Sequence, residues 1–339
     1  MVSMHLFTLA VASLVSCFCT FYLIPVFSFL ATKIGLIDIP DGKIKKHASP
    51  TPYLGGVAVY CGFLCGLIFS FSYNSTMFFL LAGSTPFLFL CLFDDATPLK
   101  PYKKFLGQCV IAMCVLQASI YLKEQFFYTY WCMPVFVLWV LVVVNAFNLI
   151  DVMDGLATVV ALGAVGSFMS LAFIQNNTET ALILSAFGGA LIAFLWYNRP
   201  PARMYLGDAG SLWIGGFLAI IPVFFDWSSY NPYGYLAPVV ILSIPLIEVF
   251  SLVVIRSYKK LPFYLGSPHH FCHYLQANGW SKRLILFYVA VISITLNIIT
   301  CLYVQGIITL PLLVSISLLL SGIWLAFLVF NLQSFSFFI

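Results

Sequence analysis

Acidic residues that could do chemistry recur in short polar segments of an otherwise apolar chain. Adjacent carboxylates repel one another unless a cation or a donor cluster compensates. An acid at the edge of a long apolar run is costly and by default indicates a functional site. We therefore expect a cation or a donor-rich ligand where these acids meet. The residues are Asp94, Asp95, Asp151, Asp154 and Asp208, accompanied by Asn148.

The acidic segments have both functional and ordinary structural interpretations, and Asp94 and Asp95 could simply form a solvated helix end. Asn148, Asp151 and Asp154 recur at every third position and on a helix would share an arc of roughly 120 degrees. Asp151 could instead cap the next helix, and Asp208 could cap the helix that follows GDAGS at 207–211. Tyr205 could stack on a planar base or anchor at the membrane interface.

Basic residues and histidines lie in the same segments. Lys104 follows the first acidic pair closely and suits an anionic ligand or lipid headgroups. The segment HHFCH at 269–273, with lysines nearby, predicts an anion-binding patch in which histidines donate hydrogen bonds. Zinc is less favoured, because the four candidate ligands lack a distant partner pair. Glu248 could simply pair with Arg256, eight residues later.

The elements that position these residues are apolar helices. The 339-residue chain is 62% hydrophobic and 8% charged, which predicts an all-α, polytopic transmembrane protein of about 10–11 spans in a single domain, 1–339. The net charge of +4 includes no dense basic run, which argues against nucleic-acid binding. The ten cysteines lie mostly in apolar runs and predict no disulfide framework. The candidate spans are 5–31, 54–73, 77–93, 105–122, 132–147, 156–174, 180–197, 211–225, 235–255, 284–304 and 308–330.

The spacing of the polar segments predicts one active face. Five polar islands, at 35–56, 93–104, 145–155, 198–211 and 256–283, are each separated from the next by two apolar runs, so all five should emerge on the same side of the membrane. Nearly all lysines and arginines lie in these islands, which predicts that this side is cytoplasmic and that the N-terminus is outside. We expect the first apolar run to be a retained span rather than a cleaved leader.

Aspartates with a basic rim at a membrane face suit a diphosphate. Mg²⁺ typically takes one or two protein carboxylates and completes its octahedron with phosphate oxygens and water. Lysine, arginine and histidine would hold the remaining phosphate charge. The membrane location predicts that one of the two reactants is a lipid.

The sequence motifs in the islands, and their order along the chain, resemble those of the polyprenyl-phosphate N-acetylhexosamine-1-phosphate transferases over nearly the whole chain. The island from Asp38 to Gly56 looks like that family's opening loop, and the family's Asp-Asp pair corresponds to Asp94 and Asp95. Its other motifs are N-x-x-D-x-x-D-G at 148–155, N-x-P-A…G-D-x-G-S at 198–211 and H-x-H-H at 270–273.

The resemblance implies roles for individual residues. Asp94, Asp95, Asp151 and Asp208 would be catalytic, and Asp208 with Asp151 would hold Mg²⁺ or Mn²⁺. Two departures are Cys272, in place of the motif's central histidine, and Glu248, where the family usually has aspartate. The substrate-binding residues would be Lys46, His47, Lys104, Asn148, Asp154, Asn198, Tyr205, Arg256, His270 and His273.

The resemblance also implies a reaction. A UDP-N-acetylhexosamine, with UDP-GlcNAc favoured, would give its sugar-1-phosphate to polyprenyl (undecaprenyl) phosphate in a bacterial inner membrane and release UMP. The lipid phosphate would attack directly, although an aspartyl-phosphate route is chemically allowed. A phospho-MurNAc-pentapeptide transferase is the alternative within the family, and an ion-coupled transporter is the alternative of another class. A homodimer is a further expectation.

Overall fold

In its described residues the chain forms a bundle of apolar helices with one short antiparallel pair of strands. A computed structural model describes residues 2–38, 50–68, 75–122, 131–228, 231–260, 269–319 and 322. The hairpin pairs β1 (Ile37–Asp38) with β2 (Thr51–Pro52), Ile37 opposite Pro52. The helices are α1 (Val2–Ile34), α2 (Gly55–Ile68), α3 (Ser75–Ala96), α4 (Pro101–Leu122), α5 (Cys132–Ile150), α6 (Leu156–Ile174), α7 (Thr178–Asn198), α8 (Gly207–Ile220), α9 (Ala237–Ile241), α10 (Ser243–Tyr258), α11 (Phe271–Ala277), α12 (Lys282–Val304) and α13 (Leu310–Leu319).

The all-α membrane architecture predicted from composition is confirmed. Among the described residues, seven helices are long and apolar enough to cross a membrane, and an eighth candidate is Gly234–Tyr258, which bends by 67° between α9 and α10. The helices α2 and α13 are apolar but shorter. Each of the eleven candidate spans therefore contains helix, although only seven or eight of the described helices are both long and apolar enough to cross a membrane. All ten cysteines are free, as expected for thiols in apolar helices.

Helix α8 lies at the centre of the bundle. Every residue from Ala209 to Ile220 is buried, and α8 packs against α2, α3, α5 and α6. Around it the rings of Phe63, Phe187, Trp213 and Phe217 form one cluster, with Phe187 stacked on Phe217 at 4.0 Å between centroids. Because α8 carries Asp208 in its first turn, this packing gives the carboxylate a rigid base.

Small residues allow neighbouring helices to approach closely. Gly62 of α2 faces Thr20 of α1, and Gly215 of α8 lies against the backbone of Val144 in α5. Such contacts are the usual means of association in lipid, where hydrophobic burial gives little drive between helices. They bring the ends of distant helices to one level.

The first polar island is held against the start of α8. Tyr205 N donates to Pro52 O at 2.9 Å, and Gly55 N donates back to Tyr205 O at 3.0 Å. A Cβ on Gly56 would collide with Gly210 of α8, so this crossing needs glycine on both sides. The hairpin segment and the GDAGS segment therefore form one structural unit.

Candidate active site

The segment 148–155 is a helix end followed by a turn, not a helix face. Helix α5 ends at Ile150, Asp151 has φ −80° and ψ 52°, and α6 begins only at Leu156. The prediction that Asn148, Asp151 and Asp154 share one helical face is therefore wrong. The capping interpretation of Asp151 is also wrong, because Gly155 occupies the N-cap of α6 with φ 78° and no side-chain cap is present.

Asp208 lies in the first turn of α8 with its carboxylate available for other partners. Gly207 begins the helix with φ 75°, a conformation that favours glycine. The N-cap position is Leu206 and no side chain caps the helix, so the capping interpretation of Asp208 is wrong as well. A carboxylate in this position is stabilised by the helix dipole.

Lys104 joins acidic residues from two other helices. Its Nζ lies 2.9 Å from Asp94 Oδ2 at the end of α3 and 2.6 Å from Asp208 Oδ2 at the start of α8. Asp94 Oδ1 also accepts from Leu99 N at 2.8 Å. Burial lowers the pKa of Lys104, but Asp208 and the other acceptors outweigh it and the net shift is upward. Lys104 is therefore a permanent cation between two carboxylates.

Asn148 and Asp151 complete the surroundings of Asp208. Asn148 Nδ2 donates to Asp208 Oδ1 at 3.0 Å and to Ser211 Oγ at 3.1 Å. Burial, followed by repulsion from Asp208 and Asp154, raises the pKa of Asp151 to about 7. Asp95 also lies within electrostatic range of Asp208 and Lys104. The acids predicted at separate islands are thus brought together, with more negative charge than Lys104 alone offsets.

Asp154 and Asn198 tie the neighbouring loops to this centre. Asp154 Oδ2 lies 2.9 Å from Lys282 Nζ and accepts from Ala202 N at 3.3 Å. Asn198 is buried, accepts from Gly155 N at 2.9 Å and donates to Met204 O at 2.9 Å. Because both ends of its amide are hydrogen-bonded, Asn198 fixes the loop at Gly155 relative to the loop at Met204. Any contribution of Asn198 to nucleotide binding would come from positioning these two loops.

Tyr205 lies beside Tyr53 of the first island. Their ring centroids are 5.9 Å apart with a 45° tilt, so the two rings form an aromatic edge next to Asp208. Burial, and then Asp154, raises the pKa of Tyr205, which keeps its phenol neutral. An aromatic surface of this kind could stack on a planar base.

Glu248 of α10 holds the start of the histidine segment through hydrogen bonds. Glu248 Oε1 lies 3.0 Å from His270 Nδ1 and accepts a hydrogen bond from Phe271 N at 3.2 Å. Glu248 also interacts electrostatically with Arg256, so Arg256 is one of several partners. His269 Nε2 lies 2.9 Å from Lys259 Nζ.

Burial controls the protonation of the remaining side chains in the histidine segment. Burial, followed by neighbouring cationic groups, lowers the pKa of His273 to about 4, so it is neutral at pH 7. Cys272 is fully buried and burial raises the pKa of its thiol, so this departure from the motif is a packing residue.

The donor set fits Mg²⁺ better than zinc. No group of three or more His, Cys, Asp or Glu residues in the described parts of the chain could hold a metal ion by itself. Zinc needs such a group, whereas Mg²⁺ is commonly held by one or two carboxylates together with substrate phosphates. Asp208 and Asp151, whose negative charges are close enough to raise the pKa of Asp151, could serve that role.

Two predicted substrate-binding residues, Lys46 and His47, lie outside the described residues. The structure also shows an ion pair that the sequence did not predict, between Lys282 and Asp154, which are 128 positions apart. The basic patch around residue 282 was recognisable in the sequence, but its acidic partner was not, because no local spacing relates the two residues.

The fold is that of an integral-membrane protein, and the known proteins that match the chain are transferases. Residues 77–226 match the model of glycosyl transferase family 4. A probable undecaprenyl-phosphate N-acetylglucosaminyl 1-phosphate transferase of Bacillus subtilis is 28% identical over 88% of this chain and 86% of its own length.

Several phospho-N-acetylmuramoyl-pentapeptide-transferases also match. The protein of Nitratiruptor is 26% identical over 83% of this chain and 90% of its length. The protein of Sulfurimonas denitrificans is 34% identical over 48% of this chain and 49% of its length. These matches confirm the resemblance to the polyprenyl-phosphate N-acetylhexosamine-1-phosphate transferases that the motifs indicated.

Proposed function

We propose that this protein transfers N-acetylglucosamine-1-phosphate from UDP-GlcNAc to polyprenyl phosphate and releases UMP. The observation that carries the proposal is the meeting of Asp94, Lys104 and Asp208 from three helices, with Asn148 and Asp151 beside them. Such a cluster at the ends of apolar helices suits a reaction between a soluble diphosphate and a membrane lipid. Its product would start a lipid-linked glycan of the bacterial cell envelope.

The chain's own residues would position and neutralise the reactants. Phosphoryl transfer depends on positioning and charge stabilisation more than on covalent chemistry from the protein. A phosphomonoester with a second pKa near ~6 is largely dianionic at neutral pH and can attack the β-phosphate directly. Asp94 or Asp95 would orient the lipid phosphate, while Lys104 would leave its carboxylates to pair with phosphate oxygens. When bound, Mg²⁺ on Asp208 and Asp151 would supply neutralisation of the diphosphate charge.

The second candidate is phospho-MurNAc-pentapeptide transfer, because phospho-N-acetylmuramoyl-pentapeptide-transferases also match much of the chain. The B. subtilis relative, which matches 88% of this chain against 83% for the Nitratiruptor protein, favours GlcNAc. An ion-coupled transporter gains no support, since these relatives are transferases and the described acids gather at helix ends. We place the protein in the inner membrane with the acidic face toward the cytoplasm, by the positive-inside rule.

Released nucleotide distinguishes these functions. Membranes containing the protein are given labelled UDP-GlcNAc or UDP-MurNAc-pentapeptide with undecaprenyl phosphate and Mg²⁺. UMP from UDP-GlcNAc supports the proposal, UMP from the pentapeptide donor alone supports the second candidate, and UDP would indicate ordinary glycosyl transfer and contradict both.

Asp208→Asn tests the site itself. We expect it to lower UMP release by at least about 100-fold, as is typical when a charged group that stabilises a transition state is lost. Asp226→Asn, an exposed aspartate beyond the opposite end of α8, is the matched control and should keep wild-type activity. Full activity in membrane-inserted Asp208→Asn would contradict the assignment.

A further inference from the structure

A buried pair of amide side chains joins α4 to α5 close to the charged centre. Asn145 Nδ2 donates to Gln108 Oε1 at 2.8 Å and to Leu141 O at 2.8 Å. Gln108 is only 2% exposed. Because both hydrogens of the Asn145 amide are used, and the carbonyl of Leu141 can only accept, the orientation of this amide is fixed. Neither side chain is among those proposed to contact a substrate.

The pair lies on the same helix faces as two residues that bind Asp208. Gln108 follows Lys104 by four residues in α4, and Asn145 precedes Asn148 by three residues in α5. Residues three or four apart lie on one face of a helix and are separated by about 4–6 Å along its axis. The amide pair therefore forms the next layer of the bundle beneath Lys104 and Asn148.

The two helices hold Asp208 by different oxygens. Lys104 Nζ of α4 lies 2.6 Å from Asp208 Oδ2, and Asn148 Nδ2 of α5 donates to Asp208 Oδ1 at 3.0 Å. Among the described helices, α4 packs mainly against α3 and α5, whereas α5 packs closely on α8, which carries Asp208. The reach of Lys104 to Asp208 therefore depends on how α4 is fixed to its neighbours.

We propose that Gln108 and Asn145 are positioning residues, whose hydrogen bond fixes α4 against α5 so that Lys104 and Asn148 reach Asp208 together. The inference rests on the proposed function and adds supporting residues to that same site. A displacement of about 1 Å in a catalytic group can cost on the order of 100-fold in rate. An amide pair suits this purpose in an apolar bundle, because leaving a buried donor or acceptor without a partner is costly and disfavours other arrangements of the two helices.

Gln108→Met tests the pair, since methionine is flexible enough to fill the same space but lacks the amide acceptor. We expect kcat for UMP release to fall about 10- to 100-fold because Lys104 is displaced from Asp208. The KM values for UDP-GlcNAc and undecaprenyl phosphate should stay within threefold, since neither amide contacts a substrate.

Ser170→Ala is the matched control. It removes the hydrogen bond that Asn297 Nδ2 of α12 donates to Ser170 Oγ near the end of α6, away from the charged centre. We expect the wild-type kcat in this variant. A wild-type kcat in folded Gln108→Met, or an equal loss in Ser170→Ala, would overturn the proposal.

An exchange of the two amides tests whether the pair itself matters. The double variant Gln108→Asn with Asn145→Gln keeps two amides with the same total side-chain length. We expect its kcat to return to within threefold of wild type, whereas each single substitution should be slow. A folded double variant that stays as slow as Gln108→Met would contradict the proposal.

A second double variant covers the case in which Gln108→Met does not fold. Gln108→Leu with Asn145→Leu removes both polar partners together, a change that can be nearly neutral for folding. We expect thermal unfolding close to that of wild type, but a kcat lowered by about tenfold or more because α4 is no longer fixed by the hydrogen bond. A wild-type kcat would assign the pair to packing alone and overturn the proposal.

Failure of this inference can be told apart from failure of the proposed function. If wild-type membranes release UMP while the variants without the amide pair keep the wild-type kcat, the positioning role is wrong and the transferase activity stands. If wild-type membranes release no UMP, the function itself is wrong.

Discussion

At the scale of single residues, the centre of the site has more carboxylates than cationic side chains. Lys104 offsets Asp94 and Asp208, whereas Asp151 lies within range of other carboxylates and has its pKa raised to about 7. An acid in such a setting accepts either a proton or a cation. Protons and Mg²⁺ should therefore compete at Asp151.

This competition predicts a pH-dependent magnesium requirement. Below about pH 7 the protonated Asp151 cannot serve as a ligand, and each unit of further acidification should raise the half-saturating Mg²⁺ concentration up to about tenfold. UMP release is measured against Mg²⁺ at pH 6, 7 and 8 with saturating substrates. A half-saturating concentration that does not change with pH would contradict a ligand role for Asp151.

At the scale of elements, glycine contacts determine how closely the first island approaches α8. We expect Gly56→Ala to destabilise the protein by about 1–3 kcal/mol, because its Cβ would collide with Gly210 backbone and overpack the crossing. Thermal unfolding in detergent should show a lower Tm. Gly166→Ala is the control, since its Cβ would lie 3.8 Å from Asn297 Nδ2 and alanine favours helix. Equal Tm values for the two variants would show that the contact is not tight.

Glu248 is a positioning residue that connects α10 to the histidine segment. Glu248→Gln should lower activity about 10- to 100-fold, because a buried hydrogen bond to a charged group is worth ~1.5–3 kcal/mol. Glu248→Asp should restore much of this activity, since it keeps the charged acceptor for His270 Nδ1 and Phe271 N. Rates are compared at equal amounts of folded protein. Equal loss in both variants would indicate a packing role instead.

At the scale of the whole molecule, the polar ends of many helices meet at one level. Asp94 at the end of α3, Asp208 at the start of α8, and the pair of Asp154 with Lys282 at the start of α12 all lie at this end of the bundle. Asp226, which follows α8, lies at the other end. This arrangement makes a definite prediction about topology.

Substituted cysteines should label from two different sides. With an impermeant maleimide, Lys100→Cys and Arg283→Cys should label in inside-out vesicles, and Ser228→Cys in right-side-out vesicles. The ten native cysteines are free, so the parent protein is the background control. Labelling of positions 100 and 283 from opposite sides would exclude a common site.

Sequence alone determined the class, the all-helical membrane fold and the identity of the acids, because apolar run length and residue chemistry are local properties. It missed the end of α5 at Ile150, since threefold spacing fits a helix and a turn equally well. Only the tertiary structure decided that Lys104 bridges Asp94 and Asp208, that Asp154 meets Lys282, and that Glu248 supports His270. These pairs join residues far apart in the chain, and helix packing through glycine contacts, which no local pattern encodes, sets their distances.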